Sequence, residues 1–378
     1  MNLTNTTIWD TDILVSSTKN CSLVIPEDEL NVMFQLVHGM VIPIIASVGI
    51  LLNILNLIVL SNGRLKESSY TYLTGLAFAD GAMLLLFFIN GIGRGNFPKS
   101  SGWRFFEAYL YFPCGFATTT AGLLLTVIVS MERYIFIYKP MRARTWCTRR
   151  TARILTGLVW AFCVAVNLPR FFVFEVNTEL GKLEYSEFGR SMMYIYMSWF
   201  HLLFMSCGCG LALIVLNILL IRGLHRTQNR RQALGARRTE HQRADDHRLT
   251  RTLISIVFLF LMGELPSALT SRALVVGLSG DPCVVETKAF KIMSLVSTIL
   301  IVLQLSLNFV VYCVLNRRFW AVFKEQLCPC SRCRGGHHQD HPFINNNHHP
   351  QEEEEPMSIT NHPHKSNVNE TQENGLIN

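Results

Sequence analysis

Apolar residues in this chain fall into runs longer and more continuous than the buried face of a surface helix requires. Seven such runs stand out, at about 33–60, 70–93, 105–134, 152–171, 191–221, 251–276 and 289–313. A helix crosses the hydrocarbon core of a bilayer with about 20 mostly apolar residues, and each run reaches that length. The interruptions, among them Asp80, Glu264 and several Gly and Pro residues, are tolerable where they face other helices instead of lipid. The pattern predicts an all-α membrane protein, a seven-transmembrane helix bundle over 33–315, preceded by a polar segment over 1–32. Beyond the seventh run, "NRRFWAVFKEQL" sets Phe319, Trp320, Phe323 and Leu327 on one face, with Arg317, Arg318 and Lys324 on the other side. This spacing predicts an amphipathic eighth helix over 316–327, lying on anionic membrane lipid. Residues 328–378, rich in His, Asn and Glu, read as a disordered tail whose histidines are compositional bias and not a metal site.

Composition agrees with a membrane protein: 49% of residues are hydrophobic and 16% charged, against about 25% charged in soluble domains. A formal charge of +7 does not point to nucleic acid, because the basic residues cluster in short segments between the apolar runs. Lys139, Arg142, Arg144, Arg149 and Arg150 follow run three, and eight arginines from Arg222 to Arg248 separate runs five and six. The alternate segments are mixed or acidic, with Glu27, Asp28 and Glu29 before run one and Glu175, Glu179, Glu184 and Glu187 after run four. The positive-inside rule then predicts an extracellular N-terminus and a cytoplasmic C-terminus. No apolar signal segment is visible in the first 30 residues. Three glycosylation sequons, at Asn2, Asn5 and Asn20, agree with that orientation. Cys328, Cys330 and Cys333 follow the eighth helix and are palmitoylation candidates; their spacing fits no standard four-ligand zinc pattern.

Each run also carries a polar or helix-distorting residue that is expensive inside a membrane, about 2.5–3.5 kcal/mol for a charge on insertion scales. In order these are Asn53 in "GILLN", Asp80 in "LAFAD", Arg133 in "MERY", Trp160, Pro266 in "GELP", and Asn308 with Tyr312 in "NFVVY". Together they resemble the rhodopsin-like family of G-protein-coupled receptors, over residues 33 to about 327. The resemblance implies a receptor at the plasma membrane, no enzyme, coupled to a heterotrimeric G protein and, through phosphorylation of tail residues such as Ser358, Thr360, Ser366 and Thr371, to an arrestin.

The departures from that pattern narrow the ligand. Glu264 replaces the family's usual tryptophan, Phe309 its proline, and Cys209 its run-five proline. Ala108 stands at the family's run-three disulfide cysteine, with Cys114 six residues further in, and segment 172–190 has no cysteine. The family disulfide therefore cannot form; Cys21 and Cys283 are the candidate extracellular pair, the alternative being two free thiols. Amine receptors of this family resemble one another in an aspartate where this chain has Gly115, and opsins in a lysine where it has Val302, so neither reading applies. The segments "NLPRFF" (167–172) and "GELPSAL" (263–269) resemble invertebrate neuropeptide receptors of the FMRFamide-like group. A short extracellular peptide is the resulting expectation, with a lipid or small metabolite second. A seven-helix transporter is the reading from another class, but the halves show no internal similarity.

Glu264 is expected at the base of the pocket, facing a cationic ligand group or serving as a protonated or hydrogen-bonded helix-packing carboxyl. His201 is expected to line the pocket or to pack within the bundle. Arg94, Arg170, Arg272 and Lys288, near the outer helix ends, attract an anionic group or, more simply, snorkel to the interface. By resemblance, Asp80, Asn53, Gln304 and Asn308 form a polar network able to hold Na⁺, although Gly122 replaces a usual serine. Pro266 supplies the hinge. Glu132 is expected to hold Arg133 within the helix, and Asp246 to pair with Arg133 across to the sixth helix. Tyr134, Pro140 and Met141 are expected to shape the G-protein surface, with Asn308 and Tyr312 completing the switch.

Overall fold

The computed structural model describes residues 27–96, 100–177, 182–234 and 240–327. Seven helices in it are long and apolar enough to cross a membrane: α1 Val32–Leu60, α2 Ser68–Gly95, α3 Gly102–Tyr138, α4 Arg149–Phe172, α5 Met192–Arg226, α6 Thr250–Leu269 and α7 Lys288–Leu315. The helix carrying α6 begins earlier, at Glu240. An eighth helix, α8, covers Arg317–Leu327. Inside hydrocarbon every backbone polar group needs an internal partner, so continuous helix is what such apolar runs must form.

The main difference from the sequence expectation lies at the end of α6. The apolar run extends to 276, yet the helix stops at Leu269 and a separate short helix, Arg272–Ser279, follows. Ser271 breaks the path with extended backbone, φ −67 and ψ 132, and the Thr270 N–H closes the last turn on the Pro266 carbonyl at 3.0 Å.

α3 is the central helix, packed against α2, α4, α5 and α6, while α7 closes the ring between α6 and α1. Burial follows position: 56% of the apolar window of α3 is buried, against 17% for α4. Ile44, Leu51 and Ile58, seven residues apart on α1, are exposed and form a lipid-facing stripe. Where α1 meets α2, small residues let the backbones close in: a Cβ on Gly39 would lie 2.7 Å from the Gly95 Cα.

Three helices carry wide π turns, at Val37–Val41 in α1, Glu107–Tyr111 in α3 and His201–Gly208 in α5. The last is followed directly by Cys209, the position that lacks the family's proline.

Between α4 and α5 the chain forms a hairpin that the sequence pattern did not announce, β1 Phe174–Asn177 and β2 Lys182–Tyr185, with Phe174 opposite Tyr185. Aromatic stacking seats it on α3: Phe174 lies 4.8 Å from Phe112 and 5.0 Å from Tyr185. Nearby, Glu107, next to Ala108, is buried and accepts from Arg94 and Arg104, both at 2.6 Å. Aromatic contact and this ion-pair cluster tie together the end of the bundle where the family's disulfide is missing.

Cys283 is disulfide-bonded to a residue outside the described ones. Its expected partner Cys21 lies there too, as do Asn2, Asn5, Asn20, Cys328, Cys330, Cys333 and the tail.

α8 forms as expected, but its apolar residues divide. Phe319 and Val322 are buried in the bundle, and Phe323 packs against it. Trp320 is 39% exposed, stacked on Phe323 at 5.2 Å with Lys324 Nζ 5.2 Å over its ring. Part of the face assigned to lipid is therefore a protein contact.

Candidate ligand cavity and switch

At the hairpin end α2, α3, α4, α5, α6 and α7 line a cavity of about 500 Å³, within the range of about 300–1,000 Å³ usual for small-molecule sites. Its walls include Phe112, Phe116, Tyr194 and Ile301. All three residues expected to line a pocket do so: Gly115, His201 and Glu264. Gly115 leaves space without being sterically required, since a Cβ there would meet only Met83, at an ordinary 3.6 Å.

His201 starts the π turn of α5, lies 3.3 Å from the Thr120 hydroxyl, and sets its ring edge-on to Phe116 at 5.1 Å. Glu264 sits on α6, five residues inside Leu269, or about 7.5 Å along the axis at 1.5 Å per residue. It makes no hydrogen bond or ion pair among the described residues, so it does not pack against another helix through a polar contact.

Of the two expectations for Arg170, the simpler one fails. This arginine does not snorkel: it is 5% exposed and lines the cavity. A 3₁₀ turn, Leu168–Phe172, ends α4 and carries it. Its guanidinium lies 3.6 Å over the Phe116 ring and its Nε donates to Asn167 Oδ1 at 2.9 Å. Arg272 also lines the cavity.

Deeper, Asp80 is buried and its Oδ2 accepts from Asn308 Nδ2 at 2.6 Å. Asn53 Nδ2 donates to the carbonyls of Gly49 and Leu305, at 2.9 and 3.0 Å, joining α1 to α7. Asn53 Oδ1, Gln304 Oε1, Asn308 Oδ1 and the Tyr312 hydroxyl are buried without a hydrogen-bond partner among the described residues. A carboxylate and unpaired carbonyl oxygens are the hard donors a small cation prefers, and Asn308 is bonded directly to Asp80. Gly122 adds none, although a Cβ there would lie 4.0 Å from Asp80 Oδ1.

At the α8 end the charged pair of α3 is bonded to residues at the start of α2, although Arg133 Nε has no hydrogen-bond partner among the described residues. Arg133 and Glu132 are 3% and 4% exposed. Glu132 accepts from the hydroxyls of Ser68 and Ser69 and does not hold Arg133, contrary to the sequence expectation. Arg133 bonds instead to Ser69 Oγ and to Glu67, at 3.1 Å. Glu67 also accepts from Arg318 of α8 at 2.8 Å, so one carboxylate joins the feet of α3 and α8. The backbone of Asp246 lies in the helix leading into α6, but its side chain is outside those described. Tyr134 stacks on Tyr138 at 4.6 Å, and the Tyr138 hydroxyl donates to the Leu219 carbonyl of α5 at 2.9 Å. Pro140 and Met141 open a short helix, Pro140–Trp146, with Met141 exposed beside α3.

Residues 52–312 match the family described as 7 transmembrane receptor (rhodopsin family). The chain belongs to that family.

This receptor is 30% identical over 311 residues to the FMRFamide receptor of Drosophila melanogaster, covering 76% of its own length and 53% of the relative's. It therefore spans about half of that relative. It is 26% identical to the sex peptide receptor of the same fly, covering 76% of this chain and 72% of that one. Identity is also 26% to neuromedin-U receptor 2 of Mus musculus, with 80% and 78% covered. The crystal structure of squid rhodopsin shares the fold at 18% identity and a TM-score of 0.61, covering 78% of this chain and 85% of that one. The family is one of membrane receptors and not of enzymes, so the receptor is a multi-pass membrane protein.

Two participants escaped the sequence reading. Glu67 lies outside every motif, just before α2 begins, and only the packing of α2 on α3 brings it to Arg133. Phe116 sits one residue past Gly115 in an apolar run, where nothing distinguishes it from a lipid-facing phenylalanine.

Proposed function

We propose that this receptor binds a short peptide in the hairpin-end cavity and activates a heterotrimeric G protein at the α8 end. The observation that carries the reading is the open cavity ending on an unpaired carboxylate, Glu264. Its environment suits a cationic ligand group, and receptors named for peptides are among the relatives. In this reading the N-terminus is extracellular and glycosylated at Asn2, Asn5 and Asn20, and the tail is cytoplasmic. Cys328, Cys330 and Cys333 carry palmitate beside lipid-bound α8, and phosphorylated tail residues recruit an arrestin.

Cells expressing the full chain, challenged with a panel of amidated and free-acid short peptides, test the reading. At least one peptide is expected to drive nucleotide exchange on a Gα subunit. An epitope tag placed before Asn2 is expected to stain without permeabilisation. Silence to every peptide at saturating dose defeats the peptide reading, and staining only after permeabilisation defeats the orientation.

Asp80, bonded to Asn308 and with the buried, unpaired Gln304 Oε1 as a further donor, holds a hydrated sodium ion that favours the closed bundle. Raising sodium against a constant ionic strength is expected to weaken agonist binding several-fold in the wild type and not in Asp80→Asn. Equal sodium sensitivity in both proteins removes the ion from this account.

A further inference from the structure

Two opposite charges line the cavity without meeting. Glu264 on α6 has no polar partner among the described residues, and the nearly buried Arg170 at the end of α4 has no carboxylate within ion-pair distance among them. Opposite charges in a low-dielectric site attract strongly, yet these two form no ion pair, and each is left for other partners.

The packing around Arg170 shows what holds it in place. Asn167 donates its Nδ2 to the Cys163 carbonyl at 2.8 Å, which fixes the amide and turns Oδ1 toward Arg170 Nε at 2.9 Å. The Phe116 ring supports the guanidinium face at 3.6 Å. His201 braces the edge of the same ring and is itself placed by Thr120. A guanidinium has five N–H donors; one is used here, and the rest have no hydrogen-bond partner among the described residues. Burying a cation with so few partners is costly unless something else arrives to accept.

We infer that the cavity recognises its ligand at two points, Glu264 taking a cationic group and Arg170, seated on Phe116, taking an acceptor oxygen of the carboxylate or carboxamide class. This deepens the peptide reading and rests on it: the ligand end that enters carries a basic group close to a terminal carbonyl. Arg170 is then a specificity-determining residue. A ligand with only one of the two groups leaves the opposite charge buried and unpaired, which is how a polar site rejects near-analogues.

The test uses the full chain in lipid nanodiscs and three probes: Arg-Phe-amide, its neutral isostere citrullinyl-Phe-amide, and Arg-phenethylamide, which lacks the terminal carboxamide. Thermal stabilisation against probe concentration gives an apparent affinity for each. On the wild-type receptor both altered probes are expected to bind at least tenfold more weakly than Arg-Phe-amide, a comparison that needs no protein variant. Glu264→Gln is expected to abolish the preference over the citrulline probe and keep the preference over the phenethylamide. Arg170→Gln is expected to do the reverse, and Arg170→Lys to restore part of it. Arg-Phe free acid, run alongside, separates a carboxylate from a carboxamide at Arg170.

Equal affinity for all three probes, or no binding of Arg-Phe-amide, overturns the inference. So do losses in the variants that ignore which probe is used. If peptides activate the receptor in cells but this pattern is absent, the inference fails and the peptide reading stands. If the pattern appears and no peptide drives nucleotide exchange, two-point recognition stands and the signalling proposal fails.

Discussion

Replacing Glu67 with glutamine is expected to raise agonist-free nucleotide exchange by roughly 5–30-fold, the factor that corresponds to one or two kcal/mol between two states. Glu67 is the ion-pair partner of Arg133, at 3.1 Å, and simultaneously of Arg318, at 2.8 Å. Arg133 is 3% exposed, so removing the carboxylate leaves a nearly buried cation with the Ser69 hydroxyl and the Phe136 ring, 5.2 Å away. Truncating one partner of a fully buried pair costs about 3–5 kcal/mol. The Glu67 side chain is 25% exposed, and screening reduces the loss to the lower figure.

A bond made only in the closed bundle biases the switch by its own strength, so its loss appears as basal activity. Arg318→Ala should act in the same direction but more weakly, because that side chain is 40% exposed. The measurement is nucleotide exchange on a Gα subunit without agonist, normalised to surface expression. If Glu67→Gln leaves basal exchange unchanged while Asp246→Asn raises it, the closed state is held across to α6 and not by Glu67. Arg133→Ala should remove agonist-driven exchange in either case while sparing peptide binding.

Long apolar runs made the seven spans readable, because hydrocarbon leaves helix as the only way to satisfy a backbone. The motif residues were readable for a related reason: Asp80, Arg133 and Asn308 stand out where polarity is expensive. What stayed hidden was relational. Nothing in "KESSY" says that Glu67 meets Arg133 or that Ser68 and Ser69 take Glu132, because those contacts depend on how α2 sits against α3. Snorkelling was the simpler reading for Arg170 because an arginine near a helix end normally reaches outward, whereas the 3₁₀ turn at Leu168–Phe172 delivers it inward onto Phe116. The hairpin was missed because each strand has only four residues, too few for alternation to stand out.

Phe309→Ala is expected to destabilise the receptor by about 3–5 kcal/mol, the usual cost of deleting a buried phenylalanine. Phe309 stands where the family pattern places proline, and is 7% exposed. Its ring meets two aromatics of α8 edge-on, Phe319 at 5.9 Å and Phe323 at 5.4 Å. Phe319 is in turn 5.3 Å from Tyr312 and fully buried. A proline would fill less of this space and would remove a backbone donor from α7; a phenylalanine keeps the helix bonded and forms the seat of α8.

Loss of the ring should therefore do two things at once. The thermal midpoint of the solubilised receptor should fall, with Phe309→Leu intermediate because most of the apolar volume remains. Trypsin should also cleave faster after Arg317 and Arg318, since an undocked α8 exposes the junction where Arg318 now pairs with Glu67. Because Arg318 would leave Glu67 with it, basal exchange should rise in parallel with cleavage. A Phe309→Ala receptor that melts at the wild-type temperature and resists trypsin equally well would show that Phe319 and Val322 hold α8 without it.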